Sequence, residues 1–186
     1  MSPLAATHAI RNSPFGWFGV LEEADGPAVL AVRIGLPDGP TVLEGLQEGI
    51  ASRPTTKSRT ADLLERYFAG EPVDFKAVRL APWACTDFEA RVREACRRLE
   101  WGTTATYGEL AARAKVNPRA ARAVGSVMRR NRWPIIVPCH RVLGSGGLGG
   151  YSAPSGLDLK RRLLALEGIE APPRREAKMA AANANC

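Results

Sequence analysis

The chain has 186 residues, 45% of them hydrophobic, which is enough for one or two small domains with a buried core. It has two histidines and four cysteines without a Cys-x-x-Cys pair, which argues against a zinc site and a disulfide framework. No apolar run reaches the length of a membrane span, and the N-terminus lacks the regions of a signal peptide. We therefore expect a cytoplasmic protein, or a nuclear one in a eukaryote, with free thiols.

The formal net charge of +7 is concentrated in one part of the chain. Residues 89–132 carry 11 basic and 4 acidic side chains, whereas residues 1–88 carry 8 basic and 11 acidic ones. One interpretation of these charges is an ordinary solvent-exposed surface, which accounts for charges that are scattered along a chain. The concentration of the excess in one segment favours a polyanionic partner.

The N-terminal part is predicted to be a small α+β unit. Residues 15–34 predict a β-hairpin that turns at Asp25-Gly26-Pro27, and residues 35–59 look like loop with a short helix near 42–50. Thr60 is the predicted N-cap of a helix over 61–69. The apolar stripe of that helix consists of Leu63, Leu64, Tyr67 and Phe68. We find no chemical motif in this unit and expect a structural role.

A predicted linker over residues 80–85 leads to a helix that opens with capping-box spacing at Thr86-Asp87-Phe88-Glu89. Its predicted buried face carries Phe88, Val92, Cys96 and Leu99, and its predicted solvent face carries Arg91, Arg97 and Arg98. Cys96 is therefore interpreted as a core thiol.

Two short helices separated by a turn follow. The first opens at residues 106–109, and the second opens at Asn117-Pro118 and runs to about Arg130. The second has an apolar face of Ala120, Val124, Val127 and Met128, and an opposite face of Arg119, Arg122, Ser126, Arg129 and Arg130. This pattern is typical of a helix-turn-helix, although any amphipathic helical hairpin can share it; the arginine row favours DNA binding.

The stretch from residue 135 to 151 carries the chemistry. An apolar run leads to Pro138-Cys139-His140-Arg141, and a glycine-rich turn then leads to Tyr151-Ser152. One interpretation is a buried small side chain beside a hydrogen-bonded histidine, since neighbours on a strand point to opposite faces. The other is a nucleophilic thiol with a base, which the basic segment upstream favours. A last helix, with a capping box predicted at residues 155–158, continues to Glu167.

The motif Pro138-Cys139-His140-Arg141-Val142, with Asn131 upstream and Gly150-Tyr151-Ser152 downstream, resembles the O6-alkylguanine-DNA alkyltransferases. The likeness runs from about residue 86 to 168 and is carried also by residues 106–111, 120–125 and 163–168. It implies an α+β fold: a ribonuclease-H-like α/β domain with a short antiparallel sheet (1–80) and a winged-helix-like helix-turn-helix catalytic domain (81–170). Residues 171–186, which include Cys186, are expected to be a disordered tail.

The resemblance implies direct, single-use repair of duplex DNA. A methyl or other alkyl group passes from O6 of guanine, and also from O4 of thymine, to Cys139 after the base is flipped out. Cys139 is then the nucleophile, His140 takes its proton through a water, and Glu167 orients His140. Tyr107 donates to N3 of the guanine. The implied partner is double-stranded DNA containing O6-alkylguanine, and a monomer without cofactor, metal or membrane contact is expected.

The resemblance also assigns the DNA and pocket residues. Arg122 fills the gap left by the flipped nucleotide, and the recognition helix lies in the minor groove, consistent with its small Ala120 and Ala121. The other DNA-binding candidates are Arg119, Arg129 and Arg130. Among the pocket candidates, Asn131 joins the recognition helix to the cysteine loop, Pro134 lies beside the alkyl group, and Tyr151 forms a wall. The backbone carbonyls of Val142 and Cys139 accept hydrogen bonds from the guanine, and the backbone amide of Ser152 donates one to it.

The chain departs from the family pattern at two places. Residues 153–156 form a longer loop at the pocket edge, which puts the tolerated alkyl size in question, and Arg93 stands where relatives often carry an aromatic side chain. The alternatives are a non-catalytic protein that binds alkylated DNA, a helix-turn-helix transcription regulator, and a cysteine hydrolase. The presence of Cys139 argues against the first, and the single helix-turn-helix without a sensor domain argues against the second.

Overall fold

The structure is a computed structural model that describes residues 6–47 and 50–171. The N-terminal part forms a five-stranded sheet in the order β4-β1-β2-β3-β5 with two helices. Its elements are β1 (Ala6–Ser13), β2 (Gly16–Glu23), β3 (Ala28–Leu36), α1 (Gly39–Leu46), β4 (Ser52–Pro54), α2 (Arg59–Phe68) and β5 (Arg79–Leu80). Strands β1 to β3 are antiparallel neighbours, and the short edge strands β4 and β5 run parallel to β1 and β3.

Side chains alternate between the two faces of this sheet. Leu21 and Ala31 pack against Val42 and Leu46 of α1 on one face. Val20 and Val32 face the other way, into a larger core that includes side chains of α2. The predicted hairpin over 15–34 is confirmed as the β2–β3 pair.

Two details of the N-terminal prediction are wrong, and strand β1 lies where no element is predicted, before residue 15. Strand β4 lies within the segment predicted as loop. Helix α2 starts at Arg59, because the Ser58 hydroxyl accepts a hydrogen bond from the Ala61 amide at 3.0 Å. Thr60 is instead inside the helix, where its hydroxyl donates to Glu22 at 2.6 Å. The short helix predicted near 42–50 is α1, and residues 48–49 lie outside the described residues.

The C-terminal part is mainly helical. Its elements are α3 (Asp87–Arg97), β6 (Ala105–Thr106), α4 (Tyr107–Arg113), a 3₁₀ turn (Pro118–Ala120), α5 (Ala121–Arg129), a second 3₁₀ turn (Cys139–Arg141), β7 (Val142–Leu143) and α6 (Gly156–Leu166). Thr86 caps α3 in the predicted capping box, and the start of α4 at residues 106–109 is a capping box as well. The second predicted helix is confirmed, with a 3₁₀ turn before α5 begins.

Two predictions for this part are wrong. Ser155 makes no capping hydrogen bond to α6, because its hydroxyl donates to the Gly35 carbonyl at 3.3 Å. Arg97 is not a solvent-facing residue: its guanidinium is half-buried and donates to the carbonyls of Phe75 and Lys76, each at 3.1 Å, and of Val78. Of the predicted tail, residues 171–186, all but residue 171 lie outside the described residues.

The two parts share a continuous core. One cluster of buried apolar side chains includes Phe18 and Tyr67 of the N-terminal part as well as Cys96, Val124 and Ile136 of the C-terminal part. Buried hydrogen bonds also cross between the parts: the Trp133 indole donates to the Val29 carbonyl, and the Val32 amide donates to the Arg132 carbonyl, both at 2.8 Å. The segment that leads to Cys139 is thereby fixed to strand β3. The chain has a mixed α+β fold, and no helix among residues 6–47 and 50–171 is long and apolar enough to cross a membrane.

Candidate active site

Cys139 opens a 3₁₀ turn at the end of a tightly bent segment. Ile135 in that segment has φ 73°, a left-handed conformation that costs a β-branched residue roughly 1–3 kcal/mol. The surrounding hydrogen bonds and packing hold it there: the Val137 amide donates to the Trp133 carbonyl at 2.8 Å, and Ile135 to Val137 are all buried. Strain at this position is compensated by an environment that fixes the cysteine loop.

Asn131, just after α5, is hydrogen-bonded to this loop. Its side-chain amide donates to the Val137 carbonyl at 2.8 Å and to the Cys139 sulfur at 3.2 Å, and its oxygen accepts from the Trp133 amide at 3.0 Å. Cys139 is 9% exposed. Burial raises its pKa, and the hydrogen bond from Asn131 opposes that rise, as does the positive charge of Lys160. The free protein therefore holds Cys139 mainly as a thiol at neutral pH.

His140 and Glu167 form a buried pair behind the thiol. The His140 Nε2 atom lies 2.7 Å from Glu167 Oε1, and both side chains are completely buried. Burial lowers the pKa of His140, while the hydrogen bond to Glu167 opposes the shift. Burial favours a higher pKa for Glu167, but hydrogen bonds from His140 and Arg141 outweigh it and lower that pKa to about 2. A neutral imidazole thus donates to an ionised carboxylate.

Two further residues complete this network and were not predicted from the sequence. Arg141 donates to Glu167 through Nε at 2.8 Å and through Nη2 at 2.9 Å, and a third donor reaches the Leu99 carbonyl at 2.6 Å. Tyr67 of α2 donates its hydroxyl to Glu167 Oε1 at 2.6 Å. The Tyr67 position was interpreted only as part of an apolar stripe. A tyrosine in such a stripe has to place its hydroxyl against a polar partner, which is the signal that could have found it.

A cavity of about 660 Å³ opens above the thiol. Its walls come from the helix-turn-helix, the cysteine and the glycine-rich loop: Tyr107, Ala121, Arg122, Gly125, Met128, Arg129, Cys139, Gly144, Gly150, Tyr151 and Ser152 are among the lining residues. The Tyr107 hydroxyl lies 3.5 Å from the Gly150 carbonyl. Burial raises the pKa of Tyr107, so it remains a protonated hydrogen-bond donor at neutral pH.

A second cavity, of about 500 Å³, also reaches Cys139. Pro134, Asn131 and residues 151–154 line it, so the longer loop does border the space next to the thiol. The hydroxyl of Ser152 donates to the Arg129 carbonyl at 3.2 Å, which ties this loop to the end of α5.

Lys160 is a buried cation on α6 that was also not predicted. Its Nζ atom donates to the carbonyls of Val142 and Leu148, each at 2.6 Å, and of Gly150 at 3.3 Å. Burial lowers the pKa of Lys160 to about 8. The Val142 carbonyl, predicted to accept the amine of guanine, thus already accepts from Lys160. Lys160 lies on the buried side of α6 with Leu159, Leu163 and Leu164, but nothing in the sequence distinguishes it from a lysine on the helix surface.

The predicted DNA-binding residues are four exposed arginines and two half-buried alanines. Arg119, Arg122 and Arg129 are exposed, Ala120 and Ala121 are half-buried, and Ala121, Arg122 and Arg129 also line the larger cavity. Arg130 is exposed too, but its guanidinium pairs with Glu89 of α3. The structure thus brings the basic face of α5 to the mouth of the cavity above Cys139. No group of three His, Cys, Asp or Glu side chains that could hold a metal ion is found among the described residues.

A buried thiol backed by a histidine and a carboxylate, beneath a helix-turn-helix with exposed arginines, is the arrangement of a nucleophilic protein that acts on DNA. Comparison with known proteins gives the family. Residues 87–169 match the family described as the DNA-binding domain of 6-O-methylguanine DNA methyltransferase. A methylated-DNA–protein-cysteine methyltransferase of Methanosarcina acetivorans is 52% identical over 106 residues, which cover 56% of this chain and 65% of that protein's length.

Solved structures agree with this over most of the chain. The O6-methylguanine methyltransferase of Mycobacterium tuberculosis is 35% identical with a TM-score of 0.70, over 90% of this chain and 95% of that one. An M. tuberculosis OGT structure in complex with DNA is 34% identical with a TM-score of 0.69, over 89% of this chain and 95% of that one. The chain belongs to the methylated-DNA–protein-cysteine methyltransferase family.

Proposed function

We propose that this protein repairs duplex DNA by transferring the alkyl group from O6 of guanine, and from O4 of thymine, to Cys139 in a single turnover. The observation that carries the proposal is the placement of a buried thiol at a 660 Å³ cavity whose mouth bears exposed arginines of a helix-turn-helix. That volume is within the range of about 300–1,000 Å³ that is usual for small-molecule sites. A base inside a DNA duplex can reach this thiol only after it is flipped out.

In the proposed reaction His140 accepts the thiol proton through a water. The Cys139 sulfur attacks the alkyl carbon, the S–C bond forms as the C–O6 bond breaks, and the electron pair stays on the guanine. Tyr107 stabilises that charge as a hydrogen-bond donor to N3, and the backbone amide of Ser152 does so at O6. The Cys139 carbonyl accepts a hydrogen bond from the exocyclic amine of guanine. The thioether is not hydrolysed, so each molecule acts once.

The DNA is held through its backbone by the basic face of α5. Arg119 and Arg129 are placed for phosphates, and Arg122 fills the gap left by the flipped nucleotide. Arg130 is already paired with Glu89 and contributes chiefly to holding α5 against α3. The sheet with its helices and the helix-turn-helix support assigning the two parts, 1–80 and 81–170, to the ribonuclease-H-like and winged-helix-like classes. The protein acts as a monomer in the cytoplasm or nucleus.

The decisive experiment is a mass measurement on the tryptic peptide that carries Cys139. After incubation with a duplex containing O6-methylguanine, we expect this peptide to gain one methylene, with one equivalent per protein molecule. The gain is lost in Cys139→Ala and kept in Cys85→Ala, which removes an exposed thiol elsewhere. Turnover beyond one equivalent, or an unmodified peptide, refutes the proposal.

A second experiment tests the role of Arg122. Arg122→Ala is expected to slow the repair of duplex DNA much more than the reaction with free O6-benzylguanine, because only the duplex requires base flipping. Arg98→Ala is the matched control, since it removes one exposed positive charge at the C-terminal end of α3, away from the cavity. Equal losses on duplex and free base in the Arg122 variant contradict the proposed role.

A further inference from the structure

Tyr67 connects the N-terminal part of the chain to the site. It lies on α2, 100 residues away from Glu167 in sequence, and its side chain is completely buried. The ring lies edge-on to Trp101, with centroids 5.2 Å apart, and to His140, with centroids 6.3 Å apart. The hydroxyl donates to Glu167 Oε1 at 2.6 Å and lies 3.2 Å from His140 Nε2. The residue lies outside the segment 87–169 that matches the family's DNA-binding domain.

These contacts fix where the protons are. Glu167 is ionised because Arg141 binds both of its oxygens, so it can only accept hydrogen bonds. The single Tyr67 hydrogen therefore points to Glu167, and the His140 Nε2 atom, 2.7 Å from the same oxygen, has to carry a hydrogen as well. The oxygen of Tyr67 is then an additional acceptor beside Nε2. The imidazole is thus the Nε2–H tautomer.

The other ring nitrogen is left free to take a proton. His140 Nδ1 is buried and makes no hydrogen bond to the described part of the chain. A neutral imidazole that donates from Nε2 has its lone pair on Nδ1, which is the form a base needs. The position of Glu167 determines this form, and the Tyr67 hydroxyl helps to hold Glu167 in place.

We propose that Tyr67 is a positioning residue for the alkyl-transfer reaction: from the N-terminal part it holds Glu167 and thereby keeps His140 in the Nε2–H tautomer. The expected effect on the alkyl-transfer rate rests on the proposed function, whereas the tautomer of His140 does not. A second consequence concerns basicity. The Tyr67 hydrogen bond withdraws negative charge from the carboxylate, so that Glu167 stabilises an imidazolium less strongly.

Tyr67→Phe removes the hydroxyl and keeps the ring. We expect the single-turnover rate with free O6-benzylguanine to fall roughly tenfold, within the range of general-base effects. We also expect the acid limb of the pH–rate profile to move to higher pH, because the more negative Glu167 makes His140 easier to protonate. Arg141 and Lys160 of α6, whose positive charges oppose that protonation, are the same in both proteins. A merely structural role lowers the rate at all pH values without moving the limb.

Thr60→Val is the matched control. It removes a second buried hydroxyl from α2 that also donates to a carboxylate, Glu22, at the same distance of 2.6 Å. This variant is expected to lose comparable stability and to keep the pH–rate profile of the unchanged protein. If both variants shift the limb equally, the effect comes from α2 as a whole and the proposal is wrong.

Nitrogen NMR of the histidines tests the same inference without any guanine substrate. The chain contains only His8 and His140, so ¹⁵N-histidine labelling with His8→Gln as a reference assigns both rings. We expect His140 to be the Nε2–H tautomer in the unchanged protein and its pKa to rise in Tyr67→Phe. An Nδ1–H tautomer in the unchanged protein overturns the proposal even if the Phe variant does not fold. Because no alkyl transfer is measured, this result stands or falls separately from the proposed function.

Discussion

Glu167→Gln tests the buried network as a source of stability as well as of orientation. The carboxylate accepts two hydrogen bonds from Arg141, one from His140 and one from Tyr67, and its side chain is fully buried. The variant leaves the buried guanidinium without its counter-charge. Removing one partner of a buried ion pair costs about 3–5 kcal/mol.

The pKa of Glu167 gives a second measure of the same quantity. The pKa is lowered to about 2 from the ordinary value of 4.5, and this difference of about 2.5 units corresponds to roughly 3 kcal/mol of stability at neutral pH. For a lowered carboxylate pKa, this stability is fully present above pH 4.5 and is lost as the pH falls towards 2. About half of it is gone near pH 3.3, midway between these two values.

The assay is urea unfolding of the unchanged protein and of Glu167→Gln between pH 7 and pH 3. We expect the free energies of unfolding to differ by about 3 kcal/mol at pH 7 and by about half of that near pH 3.3. Other carboxylates titrate equally in both proteins, so the difference reports on Glu167 together with His140, whose pKa depends on its hydrogen bond to Glu167. Two curves that stay parallel from pH 7 to pH 3 refute the reasoning, because the carboxylate is then not the group that loses its proton at unusually low pH.

The remaining predictions concern the wall of the pocket and the two other thiols that the structure describes. Lys160→Met is expected to lower the free energy of unfolding by about 2 kcal/mol, measured by urea, because buried carbonyls lose their donor. Gly149→Ala is expected to slow the reaction with free O6-benzylguanine, since a Cβ there lies 2.9 Å from the Tyr107 ring at a φ of +70°; an unchanged rate contradicts this. Iodoacetamide is expected to modify exposed Cys85 in the native protein and Cys96 only on unfolding, read by peptide mass.

The sequence was most informative where the structural signal is local. A capping box, or an asparagine before a proline, satisfies the backbone within four residues, so the starts at Thr86, Thr106 and Asn117 could be read directly. Strand β1 has no comparable local signal, because its pairing with β2 defines it. The N-cap of α2 was placed at Thr60 and not at Ser58 because either hydroxyl can cap a helix. The fold around Thr60 decides, by bringing Glu22 to its hydroxyl.

The central residues of the site could be predicted from the sequence, but the residues that hold them in position could not. Resemblance to a family brought Cys139, His140 and Glu167 together, and the structure places the last two in direct contact. In the sequence, Tyr67 is readily interpreted as a packing aromatic residue and Lys160 as a charge on the helix surface. Their roles depend on partners that are distant along the chain, such as Glu167 for Tyr67, or on backbone carbonyls, which leave no pattern in the sequence.

The pKa directions at the site fit the proposed single use of the thiol. Burial raises the pKa of Cys139, so the resting protein presents a protonated sulfur that reacts slowly with stray electrophiles. Burial lowers the pKa of His140, so the imidazole is neutral and, in the proposed reaction, able to accept the proton when a guanine occupies the cavity. A permanent thiolate would react faster with the alkylated base, but it would also be alkylated by unrelated electrophiles, which inactivates the protein. In the proposed reaction, the proton leaves Cys139 only when an alkylated base is bound beside it. The network of Tyr67, Arg141 and Glu167 keeps His140 in position to accept that proton.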